Sequence, residues 1–163
     1  LLTAVDILGQ HDVGLTFVGD GATRSALESR ARHMSNVHFL PFYPPEDVPN
    51  VLAAADLHVV CLRRGLEGLV VPSKLYPILM AGKPVLAIAS PNSDMAHIVR
   101  KFDCGLVADP DDPQDVMGSV LRVLSCPDEI KAMGQRARIA AKEFDRRKGL
   151  ERFVGLVEDV ARG

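Results

Sequence analysis

Five short apolar segments, separated by stretches of helical character, constrain the fold of this chain more than any other feature of its sequence. They are residues 13–18, 36–40, 57–61, 84–89 and 105–108. Apolar runs of this length are typical of buried strands. Because strands that alternate with helices pair in parallel through right-handed crossovers, the sequence predicts an α/β fold with a doubly wound parallel sheet.

The C-terminal third of the chain is predicted to be helical. Asp112 and Pro113, an N-cap acid before a proline at the first helical position, start a helical region that reaches Arg162. Breaks in it are predicted near Cys126 and around residues 144–149. The chain of 163 residues has the length of one domain. We therefore expect one doubly wound domain, residues 1–163, that ends in helices.

Net charge, hydropathy and cysteine usage argue against a nucleic-acid-binding protein, a membrane-spanning protein and a protein with disulfide bonds. The 19 basic and 21 acidic residues leave a formal net charge of -2, which gives no basic excess for binding nucleic acid. No apolar run reaches the roughly 18 residues that a membrane span needs. The three cysteines form no C-x-x-C pair, and Cys61 lies in a predicted buried strand. Free thiols in a reducing, cytoplasmic compartment are predicted.

A basic cluster at residues 146–148 bears on localisation and leaves two interpretations open. A solvated helix face is the favoured one. The other is a peripheral contact with an anionic membrane, at the inner face of the plasma membrane.

No metal or cofactor is predicted. The five histidines lack metal-ligand spacing such as H-x-x-x-H, and the acidic residues 109–112 lack the spacing of a calcium loop. A turn and a helix cap explain this acidic cluster.

The segment between the third and fourth predicted strands holds the most specific candidate site. A glycine-bearing loop carries one carboxylate, Glu67, beside Gly68, and Pro72, Ser73 and Lys74 then open a short apolar helix. Loops that lead from the carboxyl end of a parallel strand into a helix bind anionic ligands in open α/β sheets. Ser73 is expected to cap the helix, and Lys74 to bind a diphosphate. The Glu67 carboxylate is expected to accept hydrogen bonds from sugar hydroxyls.

A second candidate is the turn after the first predicted strand, with Gly19 and Gly21. A dinucleotide fingerprint needs another glycine where the chain has Arg24, and an acid near Phe39 and Leu40. A nicotinamide site is therefore disfavoured. Two interpretations stay open, a turn that lines a ligand cleft and a plain strand-to-helix turn.

Five pieces of sequence occur in an order and spacing that resemble a known family. They are F-V-G-D-G-A-T-R-S-A-L (17–27), N-V-H-F-L-P-F (36–42), A-A-A-D-L (53–57), G-L-E-G-L-V-V-P-S-K-L-Y (65–76) and A-G-K-P-V (81–85). The set resembles the C-terminal, nucleotide-sugar-binding domain of GT-B glycosyltransferases of the retaining family 4 type, among them bacterial enzymes of colanic-acid and capsule biosynthesis. The likeness covers essentially the whole chain, and its specificity lies in the ordered set.

The resemblance implies a Rossmann-like half of a GT-B fold and a role for each matching position. Phe42 and Tyr43 would contact the base, and Gly19 and Gly21 would border the cleft below the donor. Glu67 and Gly68 would contact the donor sugar. Ser73 and Lys74 would bind the diphosphate, with Pro72 before them as a further substrate-binding residue. It also implies that the chain is a fragment of a two-domain enzyme. The N-terminal acceptor domain and the first strand of this domain would be absent, and the fragment alone would be inactive.

One position departs from the family pattern. The second of two family glutamates would stand where this chain has Pro77, which cannot make the usual ribose contact. Proline is tolerated only in the first turn of a helix, so the helix is predicted to start close to Ser73.

The resemblance and the site residues together predict a glycosyltransferase of cell-surface polysaccharide biosynthesis. It would move a glycosyl unit from a nucleotide-diphosphate sugar, a UDP-sugar, to a lipid-linked or glycan acceptor. Catalysis is predicted to be chiefly electrostatic, with Glu67 and Lys74 as the catalytic residues. One alternative is a nucleotide-sugar epimerase of the GT-B fold, which would need more acid–base groups. The other is a non-enzymatic Rossmann-like module that binds a nucleotide or a partner.

Overall fold

A computed structural model describes residues 1–162, without the side chains of Gln10, Arg146 and Arg152, and contains five short strands. The strands are β1 (Leu15–Val18), β2 (Val37–Leu40), β3 (His58–Cys61), β4 (Val85–Ile88) and β5 (Gly105–Ala108). Each lies inside one of the predicted apolar segments. The eight α-helices of these described residues are α1 (Leu2–Ile7), α2 (Arg24–Arg30), α3 (Val48–Ala54), α4 (Leu75–Met80), α5 (Asp94–Phe102), α6 (Pro113–Ser125), α7 (Pro127–Ala141) and α8 (Arg146–Arg162).

The start of α6 and the break at Cys126 lie where the sequence predicts, whereas the second break comes earlier than predicted, because α8 already begins at Arg146. The Asp112 carboxylate accepts a hydrogen bond from the Gln114 amide at 2.8 Å and so caps α6, with Pro113 as its first residue. α6 and α7 meet at Cys126, and a short 3-10 helix, Lys142–Phe144, separates α7 from α8. None of the described helices is long and apolar enough to cross a membrane.

All strand pairs are parallel, which confirms the predicted α/β class. The described strands form two sheets, one with the order β1-β2 and the other with the order β3-β4-β5. Helix α1 packs against both sheets. Leu2 and Val5 lie in a cluster with residues of β1 and β2, and Ala4 lies in a cluster with Leu86 and Ala108 of the larger sheet.

β4 lies at the centre of the larger core. All four of its residues are buried, as expected for a strand covered on both faces. Helices α4, α5 and α7 pack around the larger sheet, and Leu75, Leu79 and Met95 are fully buried there. Because Leu75 and Leu79 hold α4 in this core, the loop that precedes α4 has one fixed end.

The cysteines differ in exposure, and the prediction that Cys61 is buried is wrong. Cys61 is the last residue of β3, which is an edge strand of the larger sheet, and its side chain is exposed. Cys126 is also exposed, whereas Cys104 is fully buried between α5 and β5. Burial raises the pKa of the Cys104 thiol to about 11.

We predict that iodoacetamide at pH 8 alkylates Cys126 in the folded protein and leaves Cys104 unmodified until the chain is denatured. The thiolate is the reactive form, and both burial and the raised pKa of Cys104 suppress it. Mass spectrometry of proteolytic peptides measures the modification of each cysteine. Alkylation of Cys104 as fast as that of Cys126, in protein that is still folded, would contradict this placement.

Candidate functional site

The predicted site residues all lie in loops at the carboxyl ends of strands. In chain order these loops follow β1, with Gly19 and Gly21, then β2, with Phe42 and Tyr43, and then β3, with Glu67, Gly68, Pro72, Ser73 and Lys74. The first two loops belong to the smaller sheet and the third to the larger one. Among residues 1–162, no hydrogen bond or ion pair joins the first two loops to the third.

The Glu67 loop turns on glycines that stand on either side of the carboxylate. Gly65 has a φ of 83° and Gly68 a φ of 72°, both in the left-handed region where a side chain would be strained. The resulting loop folds the Glu67 carboxylate back, so that its Oε2 atom accepts a hydrogen bond from the Gly65 amide at 2.6 Å. The hydroxyl of Ser90, two residues after the end of β4, interacts with the same carboxylate and helps to lower its pKa.

These contacts lower the pKa of Glu67. The largest cause is the hydrogen bond from its own backbone N–H, and the Gly65 amide, the Ser90 hydroxyl and the charge of Arg64 act in the same direction. The carboxylate is therefore ionised at neutral pH. It is suited to accept hydrogen bonds from hydroxyl groups and unsuited to donate a proton.

The start of α4 differs in one respect from the prediction. The predicted cap by Ser73 is wrong, since α4 begins at Leu75 with Lys74 at the N-cap position and no described side chain caps it. The reason is a turn in which the Leu75 amide bonds to the Pro72 carbonyl at 3.0 Å, which places Ser73 one residue too early. Ser73 and Lys74 are both exposed to solvent.

Pro77 lies in the first turn of α4, as predicted. Amides in the first turn have no partner inside the helix, so a proline there removes no helical hydrogen bond. The side chain of Pro77 is exposed and offers no polar group. The departure from the family pattern is therefore compatible with the fold and leaves this position without a ligand contact of the usual kind.

Arg24 is a structural residue of the site that the sequence analysis missed. Its Nη1 atom donates to the carbonyls of Gly19 and Leu40, the latter at 2.8 Å, and so ties together the carboxyl ends of β1 and β2. Its Nε atom donates to Glu28 at 2.8 Å. A basic residue in the first turn after a glycine turn is the sequence signal.

The segment after β2 exposes an aromatic ring. Phe42 is 72% exposed, and Tyr43 is half-buried. Both lie in an extended stretch bounded by Pro41 and Pro44, which keeps the chain out of helical conformation. An exposed ring at the carboxyl end of a strand is available to stack on a flat ligand group.

The described residues contain no group of three or more His, Cys, Asp or Glu side chains that is arranged to hold a metal ion. Two sets of groups remain for ligand chemistry. They are an ionised carboxylate at Glu67 with a cation at Lys74, and, in the other sheet, the glycine turn with the exposed ring of Phe42.

The model of the family described as glycosyl transferases group 1 matches residues 1–140. WbjE of Pseudomonas aeruginosa, which is named as a glycosyltransferase, is 25% identical over 163 residues, covering 98% of this chain and 40% of the relative. WcaI of Escherichia coli K12, which is named as a colanic acid biosynthesis glycosyl transferase, is 24% identical over 157 residues, covering 94% of this chain and 38% of the relative. The chain thus spans about two-fifths of the length of these curated relatives.

Among solved structures, HepE of Anabaena in complex with UDP-glucose is similar to this chain. The two superpose with a TM-score of 0.75 at 20% identity, over 96% of this chain and 44% of HepE. The predicted Rossmann-like half of a GT-B fold is thereby confirmed.

Proposed function

Because the chain belongs to the group 1 glycosyl transferases, we propose that it is the donor-binding part of an enzyme that transfers a glycosyl unit from a nucleotide-diphosphate sugar. The observation that carries this proposal is the match to the family over residues 1–140, a range that contains every candidate site residue. HepE, which shares the fold, is described in complex with UDP-glucose, and this supports a UDP-sugar as the donor.

In this proposal the loops bind successive parts of the donor. Phe42 and Tyr43 contact the base, and the glycine turn borders the cleft below it. The ionised Glu67 accepts hydrogen bonds from hydroxyls of the sugar, with Gly68 beside it. The lowered pKa of Glu67 and the left-handed backbone conformation of Gly68 support this assignment. Pro72, Ser73 and Lys74 hold the diphosphate.

The chemistry that these groups support is electrostatic. Transfer breaks the bond between the anomeric carbon and the diphosphate oxygen, which keeps the electron pair and gains charge. The exposed Lys74 ammonium stabilises this charge. An acceptor hydroxyl forms the new bond to the anomeric carbon, and its proton passes to the departing diphosphate oxygen. Retention of the anomeric configuration follows from the family resemblance alone.

The acceptor belongs to a second domain in this proposal. The curated relatives are about two and a half times as long as this chain, which leaves room for such a domain in a longer protein. A lipid-linked or glycan acceptor and a cytoplasmic enzyme at the inner face of the plasma membrane are proposed. Arg147 and Lys148 of the basic cluster are exposed, while the Arg146 side chain lies outside the described residues.

Calorimetric titration of the chain with UDP, GDP and NAD tests the proposal. We expect UDP to bind with a Kd of about 0.1–1 mM, as one half of a site would, and NAD not to bind. The absence of binding by any nucleotide at millimolar concentration would contradict the proposal and favour a non-enzymatic module. Conversion of a UDP-sugar to its epimer by the longer protein, without an acceptor, would favour the epimerase.

A further inference from the structure

An ion-pair cluster joins the Glu67 loop to the turn after β5. The Nη2 atom of Arg64 lies 2.7 and 2.6 Å from the two carboxylate oxygens of Asp109, and its Nε atom donates to Asp111. Arg64 and Asp109 are 45 residues apart in sequence. The planar guanidinium donates two sets of hydrogen bonds in a fixed direction, so this cluster has more geometric definition than a lysine pair would have.

The acidic half of the cluster is held by the backbone at the start of α6. The Asp111 amide donates to Asp109 at 2.9 Å, and the Asp109 amide donates to Asp115 at 2.8 Å. The hydrogen bond from the Asp111 amide is the largest cause of a lowered pKa of Asp109, and the hydrogen bond from Arg64 is the second. Since Asp115 lies in the first turn of α6, the two acids that bind Arg64 are placed by a helix of 13 residues.

The Glu67 loop has few other attachments to the rest of the molecule. Leu66, Leu69 and Val70 are exposed, and the described backbone hydrogen bonds between residues 63 and 70 are all local to the loop. Arg64 directly precedes Gly65, whose amide donates to the Glu67 carboxylate. Holding residue 64 therefore sets the direction of the amide that orients Glu67.

We propose that Arg64, held by Asp109 and Asp111, is a positioning residue that places the Glu67 carboxylate for the sugar of the donor. The role of Glu67 rests on the proposed function, whereas the placement of the loop by Arg64 does not. An isolated ion pair on the surface would be screened by solvent and would leave the loop unaffected. This cluster is more firmly defined than an isolated pair, because two carboxylates placed by the start of α6 bind one guanidinium of the loop.

The test replaces Arg64 by methionine and Asp109 by asparagine, each in the full chain. The matched control is Arg63→Met, because Arg63 is exposed and makes no ion pair with a described residue. Hydrogen exchange of peptides that cover residues 63–74 is measured first. We expect exchange at least about fivefold faster in both variants and unchanged in the control, because loss of the anchor opens the loop locally.

Binding of UDP and of UDP-glucose is measured next. We expect both variants to keep the wild-type affinity for UDP within about twofold and to lose any additional affinity that the glucose moiety provides. Unchanged exchange in Arg64→Met and Asp109→Asn would overturn the proposal. So would an equal loss of affinity for UDP and UDP-glucose, since the effect would then not be specific to the sugar.

If the wild-type chain binds neither ligand, the proposed function fails, and the exchange measurement still decides whether Arg64 places the loop. If Arg64→Met does not fold, Asp109→Asn tests the same contact without a change of side-chain volume.

Discussion

Replacement of Lys74 by methionine is expected to weaken UDP binding about 10- to 100-fold, since a hydrogen bond to a charged group contributes about 1.5–3 kcal/mol. Lys74 stands at the N-cap of α4 and is exposed, so its ammonium is free to reach a diphosphate. Methionine keeps an unbranched side chain, one atom shorter than that of lysine, and removes the charge. Titration calorimetry at constant ionic strength measures the change, because the contact is electrostatic and salt weakens it.

The control for this change is Lys142→Met. Lys142 is exposed, begins the short 3-10 helix before α8, and forms no ion pair with the described side chains. Its replacement is expected to leave UDP affinity within about twofold. Equal losses in the two variants would point to a general effect of charge, and no loss in Lys74→Met would remove Lys74 from the diphosphate site. Lys74→Arg keeps the charge and is expected to retain part of the affinity.

Replacement of Gly105 by alanine is expected to lower the free energy of unfolding by about 3 kcal/mol or more. A Cβ atom at Gly105 would lie 1.9 Å from the carbonyl oxygen of Val85 and 2.8 Å from its carbonyl carbon and nitrogen. These are backbone atoms of the neighbouring strand β4, so they cannot move without disturbing the ladder between β4 and β5. Urea denaturation followed by circular dichroism measures the loss.

Gly118→Ala is the matched control, since Gly118 lies inside α6 and an added Cβ would meet no described atom within 4 Å. Alanine favours helix over glycine, so this variant is expected to gain about 0.5–1 kcal/mol. The same substitution should thus have opposite signs at the two sites. If Gly105→Ala were as stable as the original chain, the close approach of β5 to β4 would be wrong.

Much of the fold could be predicted from local patterns. Each of the five strands lies within a predicted apolar segment, because burial on a sheet requires a short continuous apolar run. The start of α6 was predicted because an N-cap acid and a proline act on the adjacent turn alone. Pro77 in the first turn of α4 followed from the missing N–H of proline.

The candidate site was only partly predictable. The loops after β1, β2 and β3 were identified, because glycines, prolines and polar residues at strand ends leave a local signature. The cap at α4 was predicted one residue early, since the turn closed by Pro72 and Leu75 has no strong sequence marker. The role of Arg24 was missed, because its partners Gly19 and Leu40 come together only when β1 and β2 pair.

The sequence by itself determined the class of fold, the order of its elements, the family and the positions of the glycine-bearing loops. These depend on residue types and on contacts between near neighbours. The tertiary structure alone decided that the described strands form two sheets, that Arg24 meets the carbonyl of Leu40, and that Arg64 meets Asp109. Each of these depends on residues far apart in the chain, whose proximity is set by how the strands and helices pack together. The Glu67 carboxylate and the glycines that turn its loop are visible in the sequence, whereas the contact of the neighbouring Arg64 with Asp109 exists only in the folded chain.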